Sequence, residues 1–318
     1  MKIDKEKIII DLVYLWVDGS DPVWLAKRNA FIGDAETTSS ANCEGRYINN
    51  DELKFSLRSV EKYASWINKI YIITDNQTPD WIDWTNPKIK RVDHKDIMPE
   101  EILPCYNSGV IELFLYKIEG LSEHFIYAND DMLINRSVSP DTFFTDEGFP
   151  VVRLTRKRFR RLRWFWREEI RKKPLHNYSK SIKTASELVK QKYGIYYSGM
   201  PHHNIDAYLK SDCRRMAEKV FKTEFEAMHY NRLRSPEDIE RIVFSYVALA
   251  EKRGVLHYCS KKESLYIHIH KDRHYKNLGK YNPIFFCMND SQYAQDSDRR
   301  KSTLFLNKLF PEKSQFEK

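Results

Sequence analysis

Cysteine, glycine and proline are all sparse in this 318-residue chain, at five, 10 and 12 residues. The cysteines are scattered, odd in number and form no CxxC pair. That excludes a disulfide frame and a cysteine zinc site, and it fits reduced thiols in a cytosolic protein. The composition is not collagen-like, and no stretch is rich enough in Gly, Pro or Ser to mark a linker between domains. No apolar run approaches the roughly 20 uncharged residues of a membrane span. The best candidate for a leader, residues 8–17, contains Asp11, meets Asp18 at once and lacks a small-residue cleavage site, so no signal peptide is expected. There is no GxxxxGK[ST] loop, no GxGxxG and no GxSxG elbow, which argues against an NTPase, a Rossmann dehydrogenase and an α/β-hydrolase. An enzyme built this way must hold phosphate through metal and arginine.

What is present is enough for a large core: 42% hydrophobic and 14% aromatic residues. Charged residues reach 31% but are spread among periodic apolar segments, which excludes disorder. One segment is the exception. Residues 153–173 (RLTRKRFRRLRWFWREEIRKK) hold eleven basic and two acidic residues, a net +9 against +8 for the whole chain, so the remainder nets −1.

Residues 8–17 are continuously apolar and β-branched, as a strand buried on both faces reads, and further strands are expected at 69–75, 89–92, 125–128, 265–270 and 285–290. Leu53, Leu57, Val60 and Tyr63 recur at helical spacing over 51–64, with Asn50 or Asp51 as the cap. Other helices are expected at 108–118, 181–193, 205–221, 302–310 and, opened by Ser235-Pro236-Glu237-Asp238, at 235–253. Strands alternating with helices predict an α/β fold: a mostly parallel, Rossmann- or GT-A-like sheet flanked by helices, with a helical excursion in the second half. The whole chain, 1–318, reads as one catalytic domain, with an α/β core over about 8–150 and 250–318 and a helical, basic insertion over about 150–250. In such sheets ligands bind outside the carboxyl ends of the strands, where this chain carries Asp18 and Asp21, Asp75, and Asp130 and Asp131.

Asn129-Asp130-Asp131 after a strand is a candidate ligand set for Mg²⁺ or Mn²⁺, since hard cations take oxygen ligands and Mg²⁺ is commonly held by one or two carboxylates plus substrate phosphates. An Asx turn closing the strand is the alternative. A second strand ending in Asn289-Asp290 adds weight to the metal reading. His202 and His203, before an expected helix, supply an imidazole for general-base work or phosphate binding, against a plain surface pair. His268, His270 and His274 read as structural or substrate-lining. Arg232 and Arg234, beside a helix start, and Arg58 suit a diphosphate or are solvated surface charge. In 153–173, arginines interleave with Phe159, Trp164, Phe165 and Trp166, as in an anionic-membrane anchor, a single-stranded nucleic-acid surface or an acidic-glycan site. No RRM, KH or helix-turn-helix signature accompanies the segment, so no nucleic-acid partner is expected.

The chain resembles the Stealth family in four ordered blocks. They are residues 11–22 (DLVYLWVDGSDP); Arg46 with 51–59, 70–75, 120–123 and 125–131 (FIYANDD); 200–203 (MPHH) with 234–238 (RSPED) and 244–246; and 287–290 (CMND) with 310–317. These proteins are bacterial capsular and exopolysaccharide sugar-1-phosphate transferases, related to the eukaryotic enzyme that makes the mannose-6-phosphate tag. The resemblance implies transfer of sugar 1-phosphate from a UDP-sugar, a UDP-HexNAc by expectation, to a glycan hydroxyl, with UMP released. A conventional metal-dependent glycosyltransferase releasing UDP is the alternative. The Stealth resemblance implies catalytic roles for Asp131, for His202 or His203, and for Arg234. Substrate contact falls to Asp18, Asp21, Arg46, Arg58 and Asn129, and Mg²⁺ or Mn²⁺ to Asp130, Asp131, Asn289 and Asp290. The partners expected are a UDP-sugar, a glycan acceptor and, through 153–173, an anionic membrane surface. The expected location is the cytoplasm, with the inner membrane face as a peripheral site.

Overall fold

The computed structural model describes residues 8–33 and 47–318; Arg46 and Cys43 lie outside the described residues. In chain order the strands are β1 (Ile10–Leu15), β2 (Ile70–Thr74), β3 (Ile89–Asp93), β4 (His124–Asn129), β5 (Met132–Ile134), β6 (Val151–Thr155), β7 (Met200–Pro201), β8 (Asp206–Leu209), β9 (Val255–Tyr258), β10 (Ser264–His268) and β11 (Phe285–Asn289). A central sheet runs β3-β2-β1-β4-β8, with the first four strands parallel and β8 antiparallel to β4. A second sheet, β10-β11-β5, pairs β10 with β11 in parallel and β11 with β5 antiparallel, and a third joins β7, β6 and β9. The expected α/β architecture is therefore present.

Alternation along the central strands explains why those strands read as continuously apolar. Val13, Tyr71, Ile73, Phe125 and Tyr127 face one core, and Leu12, Tyr14, Ile70, Ile72, Ile126 and Ala128 face another. The first core is closed by helices from the second half of the chain, among them Asn177–Tyr193 and Ile242–Ala250. The second is closed by helix Glu52–Tyr63 and by β5 and β11. Asp11, buried in β1, is satisfied by Asn68 Nδ2 at 2.8 Å, Lys69 N at 3.1 Å and Ser122 N at 2.8 Å, and so ties two loops to the amino end of the sheet.

Three expected helices differ, and the one expected over 108–118 ends at Glu112. Residues 205–221 begin as a strand, because Ile205, Ala207 and Leu209 enter one core and Tyr208 the other, a period of two that completes the β4 edge. The helix expected from Ser235 starts at Ile242. Before it, the Asp238 carboxylate accepts from Ser235 N at 2.8 Å and from the side-chain amides of Asn107 and Asn231, both at 2.9 Å, and so fixes a turn instead of a helix cap. The stretch 150–250 is thus not helical throughout; it supplies β6, β7 and β8.

The closing segment of the chain is fastened by Arg58. Its guanidinium meets both oxygens of Glu317 at 2.7 Å and donates to Phe310 O at 2.9 Å, with side-chain exposures of 10% and 5% for the pair. Arg58, expected at a substrate phosphate, is committed here. Truncating one partner leaves the other buried and uncompensated, so Arg58→Ala is expected to lower unfolding free energy by about 3–5 kcal/mol, measured by urea denaturation. A loss within error would show the pair to be incidental.

Candidate active site

In the strand order 3-2-1-4 the connections leave β1 in opposite directions, so the crevice between β1 and β4, outside their carboxyl ends, is the topological switch point. Asp18 follows β1, and Asn129-Asp130-Asp131 closes β4. Gln77 clamps the first loop: its carbonyl accepts from Asp18 N at 2.9 Å, and its amide donates to Asp18 O at 2.7 Å and Asp21 Oδ2 at 3.2 Å. Asp21 caps helix Pro22–Ile32 through Val23 N and Trp24 N, so its carboxylate is structural rather than aimed at a ligand. Glycine is required at 19, where an added Cβ would lie 2.5 Å from Tyr47 O. From Tyr47 the loop continues to Asn49, whose amide reaches Asp18 Oδ2 at 3.4 Å, and to Asn50.

Asn50 leads into the acidic centre. Its backbone and side-chain amides donate to Glu52 at 2.7 and 2.8 Å, and its side chain also approaches Asp290 Oδ2 at 3.4 Å. Asp130 and Asp131 form the turn between β4 and β5, so this turn belongs to both sheets. Cys287, opposite Met132 on β11, donates its thiol to Asp131 Oδ2 at 3.0 Å, and Met288 N donates to Asp131 O at 2.8 Å. Burial, then the charges of Asp131 and Glu52, hold the Asp130 carboxyl well above its ordinary range. Burial, reinforced by the Asp131 charge, lifts Glu52 to about 7 against the Asn50 hydrogen bonds. Carboxylates brought together in this way favour a bound cation or protons.

The Asp290 carboxylate is already answered by Arg299, whose Nε lies at 2.8 Å, and by Ser291 N at 2.6 Å. Asn289 O accepts from Ile269 N at 3.2 Å. Among the described residues no group of three or more His, Cys, Asp or Glu side chains is spaced to hold a metal ion. For a hard cation this region offers the carboxylates of Asp130 and Asp131, fewer oxygens than such an ion takes, so further ligands would have to come from substrate or water.

Behind the turn runs a buried polar network. The His202 side chain is 0% exposed, with Nε2 at 3.1 Å from Asp206 Oδ1 and Nδ1 at 3.2 Å from Ser264 Oγ. Arg241 donates to Asp206 Oδ2 at 3.1 Å and Glu112 Oε1 at 3.4 Å, and its guanidinium lies 4.8 Å over the Tyr127 ring. The Tyr127 hydroxyl lies 2.9 Å from Glu112 Oε1 and 2.8 Å from Asn129 Oδ1, so the chain of contacts ends on the first residue of the acidic turn. Burial works against ionising Asp206, yet His202 and Arg241 bring its carboxyl below the ordinary value. His203 is different: left-handed at φ 58°, half-exposed, its ring packs 4.8 Å from Tyr266 and 5.9 Å from Tyr178. Arg234 donates to Ser108 Oγ at 2.7 Å, at the start of the short helix Ser108–Glu112 whose last residue joins the network.

The structure thus links Asp18, Asn129, Asp130, Asp131 and Asp290 through one loop and one turn, sets Arg234 a helical turn from Glu112, and draws Arg58 away. Glu52, Cys287, Glu112 and Arg241 escaped the sequence reading. Glu52 left a signal, because it shares the buried face of its helix with Ser56 and Ser59, where an apolar stripe should run.

Two matches follow this geometry along the chain. Residues 10–35 match the model for Stealth protein CR1, conserved region 1, and residues 46–152 that for Stealth protein CR2, conserved region 2. The chain is 32% identical to the exopolysaccharide phosphotransferase SCO6023 of Streptomyces coelicolor over 97% of its own length and 52% of that protein. It is 30% identical to the capsular polysaccharide phosphotransferase SacB of Neisseria meningitidis serogroup A over 97% of its length and 57% of that protein. The chain therefore spans only about half of these relatives. A solved galactosyltransferase, LgtC, aligns over 96% of both chains at 12% identity and a TM-score of 0.46, too loose a likeness to bear on function.

The raised Glu52 group has a measurable consequence. A carboxyl whose folded pKa exceeds its unfolded value contributes stability that is fully present below about pH 4.5 and lost as pH rises through about 7. Urea unfolding should show wild-type stability falling between pH 5 and pH 8 more steeply than that of Glu52→Gln, by on the order of 2 kcal/mol. Parallel pH profiles would contradict the burial of Glu52 beside Asp131.

Proposed function

The chain belongs to the Stealth family, and from that premise we propose that it transfers a sugar 1-phosphate from a UDP-sugar to a glycan hydroxyl in capsule or exopolysaccharide synthesis. The supporting observation is the meeting of Asp130, Asp131 and Glu52 at the switch point of a parallel sheet, where charge crowding favours a cation-borne diphosphate.

In this reading the acceptor oxygen attacks the sugar-bearing phosphorus, the P–O–P bridge breaks, and UMP leaves with the bridging oxygen. Such transfer needs placement and charge neutralisation more than covalent work by the protein. Mg²⁺ or Mn²⁺, when bound by Asp130 and Asp131, would offset the diphosphate charge. Arg234, steadied by Ser108, offers a guanidinium for the phosphoryl oxygens. Asp18, with its backbone clamped by Gln77 and its carboxylate accepting from Ser20, would receive a ribose or sugar hydroxyl. His203, half-exposed, takes the acceptor proton, while the fully buried His202 orients the segment by holding Asp206.

The test is the nucleotide product. Incubation with a panel of UDP-sugars and acceptor should release UMP; UDP in its place would reassign the protein to glycosyl transfer. Asp131→Ala should keep wild-type circular dichroism and lose at least about 10²–10³-fold in turnover, the scale of removing electrostatic stabilisation. Full activity in that variant would end the reading.

We also place the segment 153–173 against an anionic membrane surface. Arg153 and Arg160 turn inward, the latter to Ser186 Oγ at 2.6 Å and Tyr197 O at 2.7 Å. Residues 153–155 belong to β6, and helix Arg160–Phe165 with the turn after it leaves Phe159, Leu162, Phe165, Trp166 and Ile170 45–65% exposed among Arg161, Arg163, Arg171, Lys172 and Lys173. Apolar groups left in water beside cations suit a headgroup interface, where each basic residue adds about 1 kcal/mol. Co-sedimentation with phosphatidylserine vesicles should be abolished by Leu162→Ser, Trp166→Ser and Ile170→Ser combined with Arg161→Gln and Arg163→Gln; unchanged sedimentation would refute the placement.

A further inference from the structure

One cluster outside the acidic centre has the opposite polarity. His268 ends β10, His270 follows two residues later, and His274 lies in the first turn of helix Asp272–Tyr281. Their rings stand 5.5 Å (His268 to His270) and 5.4 Å (His268 to His274) apart. Nδ1 of His274 accepts from His268 N at 3.0 Å, which leaves its Nε2 as a donor, and Nδ1 of both His268 and His270 is buried without a hydrogen-bond partner. Lys271 and Arg273 occupy the same turn. The charges acting on His268 are those of Lys271, His274, His270 and Arg273, all of one sign. The nearby carboxylates are committed elsewhere: Asp272 pairs with Lys301, and Asp290 with Arg299.

The position is informative. His268 stands opposite Asn289, and Ile269 N bonds to Asn289 O, so the cluster sits one strand from the Asp290 end of β11 and two from β5, which leaves the acidic turn. Strands lie about 4.8 Å apart, so the centres of negative and positive charge are within one substrate's reach. A line of rings joins the cluster to His203: Tyr266 lies 4.8 Å from His203 and 4.9 Å from His268.

We propose that His268, His270 and His274, with Lys271 and Arg273, form a binding site for a phosphate group, and that the phosphate is borne by the sugar acceptor. Imidazole N–H donors and two cations without an answering carboxylate among the described residues are the chemistry that recognises a phosphomonoester or phosphodiester. The Tyr266–His203 line carries the attached sugar from the phosphate toward the imidazole assigned to take the hydroxyl proton. The acceptor assignment rests on the transferase reading; the phosphate site does not.

Binding is therefore measured apart from turnover. Inorganic phosphate and N-acetylglucosamine 1-phosphate are titrated into the metal-free full chain while histidine ring resonances are followed by NMR. Both ligands should shift the resonances of His268, His270 and His274, the sugar phosphate binding more tightly. Lys271→Gln combined with Arg273→Gln, both surface changes, should weaken both by at least about tenfold, as loss of charge-assisted hydrogen bonds does, and His270→Gln should weaken them further. Unmoved histidine resonances, or equal binding by wild type and variants, would overturn the site even if UMP release is observed. Equal affinity for the two ligands would overturn the acceptor assignment. Phosphate binding without any UMP release would instead count against the transferase reading.

Discussion

The architecture depends on keeping like charges together against their repulsion. Like charges repel more strongly as water is removed from around them, and burial together with the neighbouring carboxylates holds the Asp130 and Glu52 carboxyls above their ordinary range. The acidic turn is shared by two sheets, because β4 belongs to the central one and β5 to the other. Tyr14 and Ser56 fasten β1, the Glu52 helix and β5 to one another, with Tyr14 Oη 2.7 Å from Ser56 Oγ and Ser56 Oγ 2.6 Å from Met132 O. Asn50 fixes Glu52, and the Cys287 thiol fixes Asp131. The acidic turn is thus held from several elements at once, β1, the Glu52 helix, β5 and β11.

A contrast within the same molecule shows that the crowding is local. Glu112 and Asp206 are equally removed from water, yet the Arg241 guanidinium lies between them, and burial of its charge is offset by both. Asp212 has Arg253, Asp290 has Arg299, and Glu317 has Arg58. The strongest charges felt by Asp130, by contrast, are negative. Several buried acids of this fold therefore face an arginine, whereas the neighbours that act most on Asp130 are carboxylates. The Arg241 network stiffens the ground behind them, since its far end is the Asn129 side chain.

The central strands and the acidic turn could be read from sequence because both are local. Apolar runs closed by turn residues carry their meaning in adjacent positions, and β1, β2 and β4 form where that pattern places them. What could not be read is what depends on distant pairing. Residues 206–209 look helical until β4 offers an open edge, and Ser235-Pro236 looks like a helix cap until Asn107 and Asn231 engage Asp238. Arg58 and Arg234 are alike in sequence; what distinguishes Arg58 is Glu317, 259 positions away. His202 and His203 are neighbours, and a left-handed residue at 203 sends one ring into the network and the other to the surface.

Strand β8 also decides how the site is assembled. Its register with β4 sets Asp206 opposite Tyr127, and the Arg241 network then closes around that pair. The conserved regions matched at 10–35 and 46–152 contain Asp18, Glu52 and the acidic turn, but Asp206, Arg234, Arg241 and the histidines come from beyond them. Strand β11 does the same on the other side, bringing Cys287 and Asp290 to residues more than 150 positions earlier. Neither half of the chain holds a complete charge arrangement, because the early half supplies the crowded carboxylates and the later half the groups that position and oppose them. Parallel pairing of β10 with β11 extends that division into space, setting imidazoles and cations beside the acids without mixing the two. A donor diphosphate with its cation and a phosphate on the acceptor would each find their charge answered on a different strand of the same sheet.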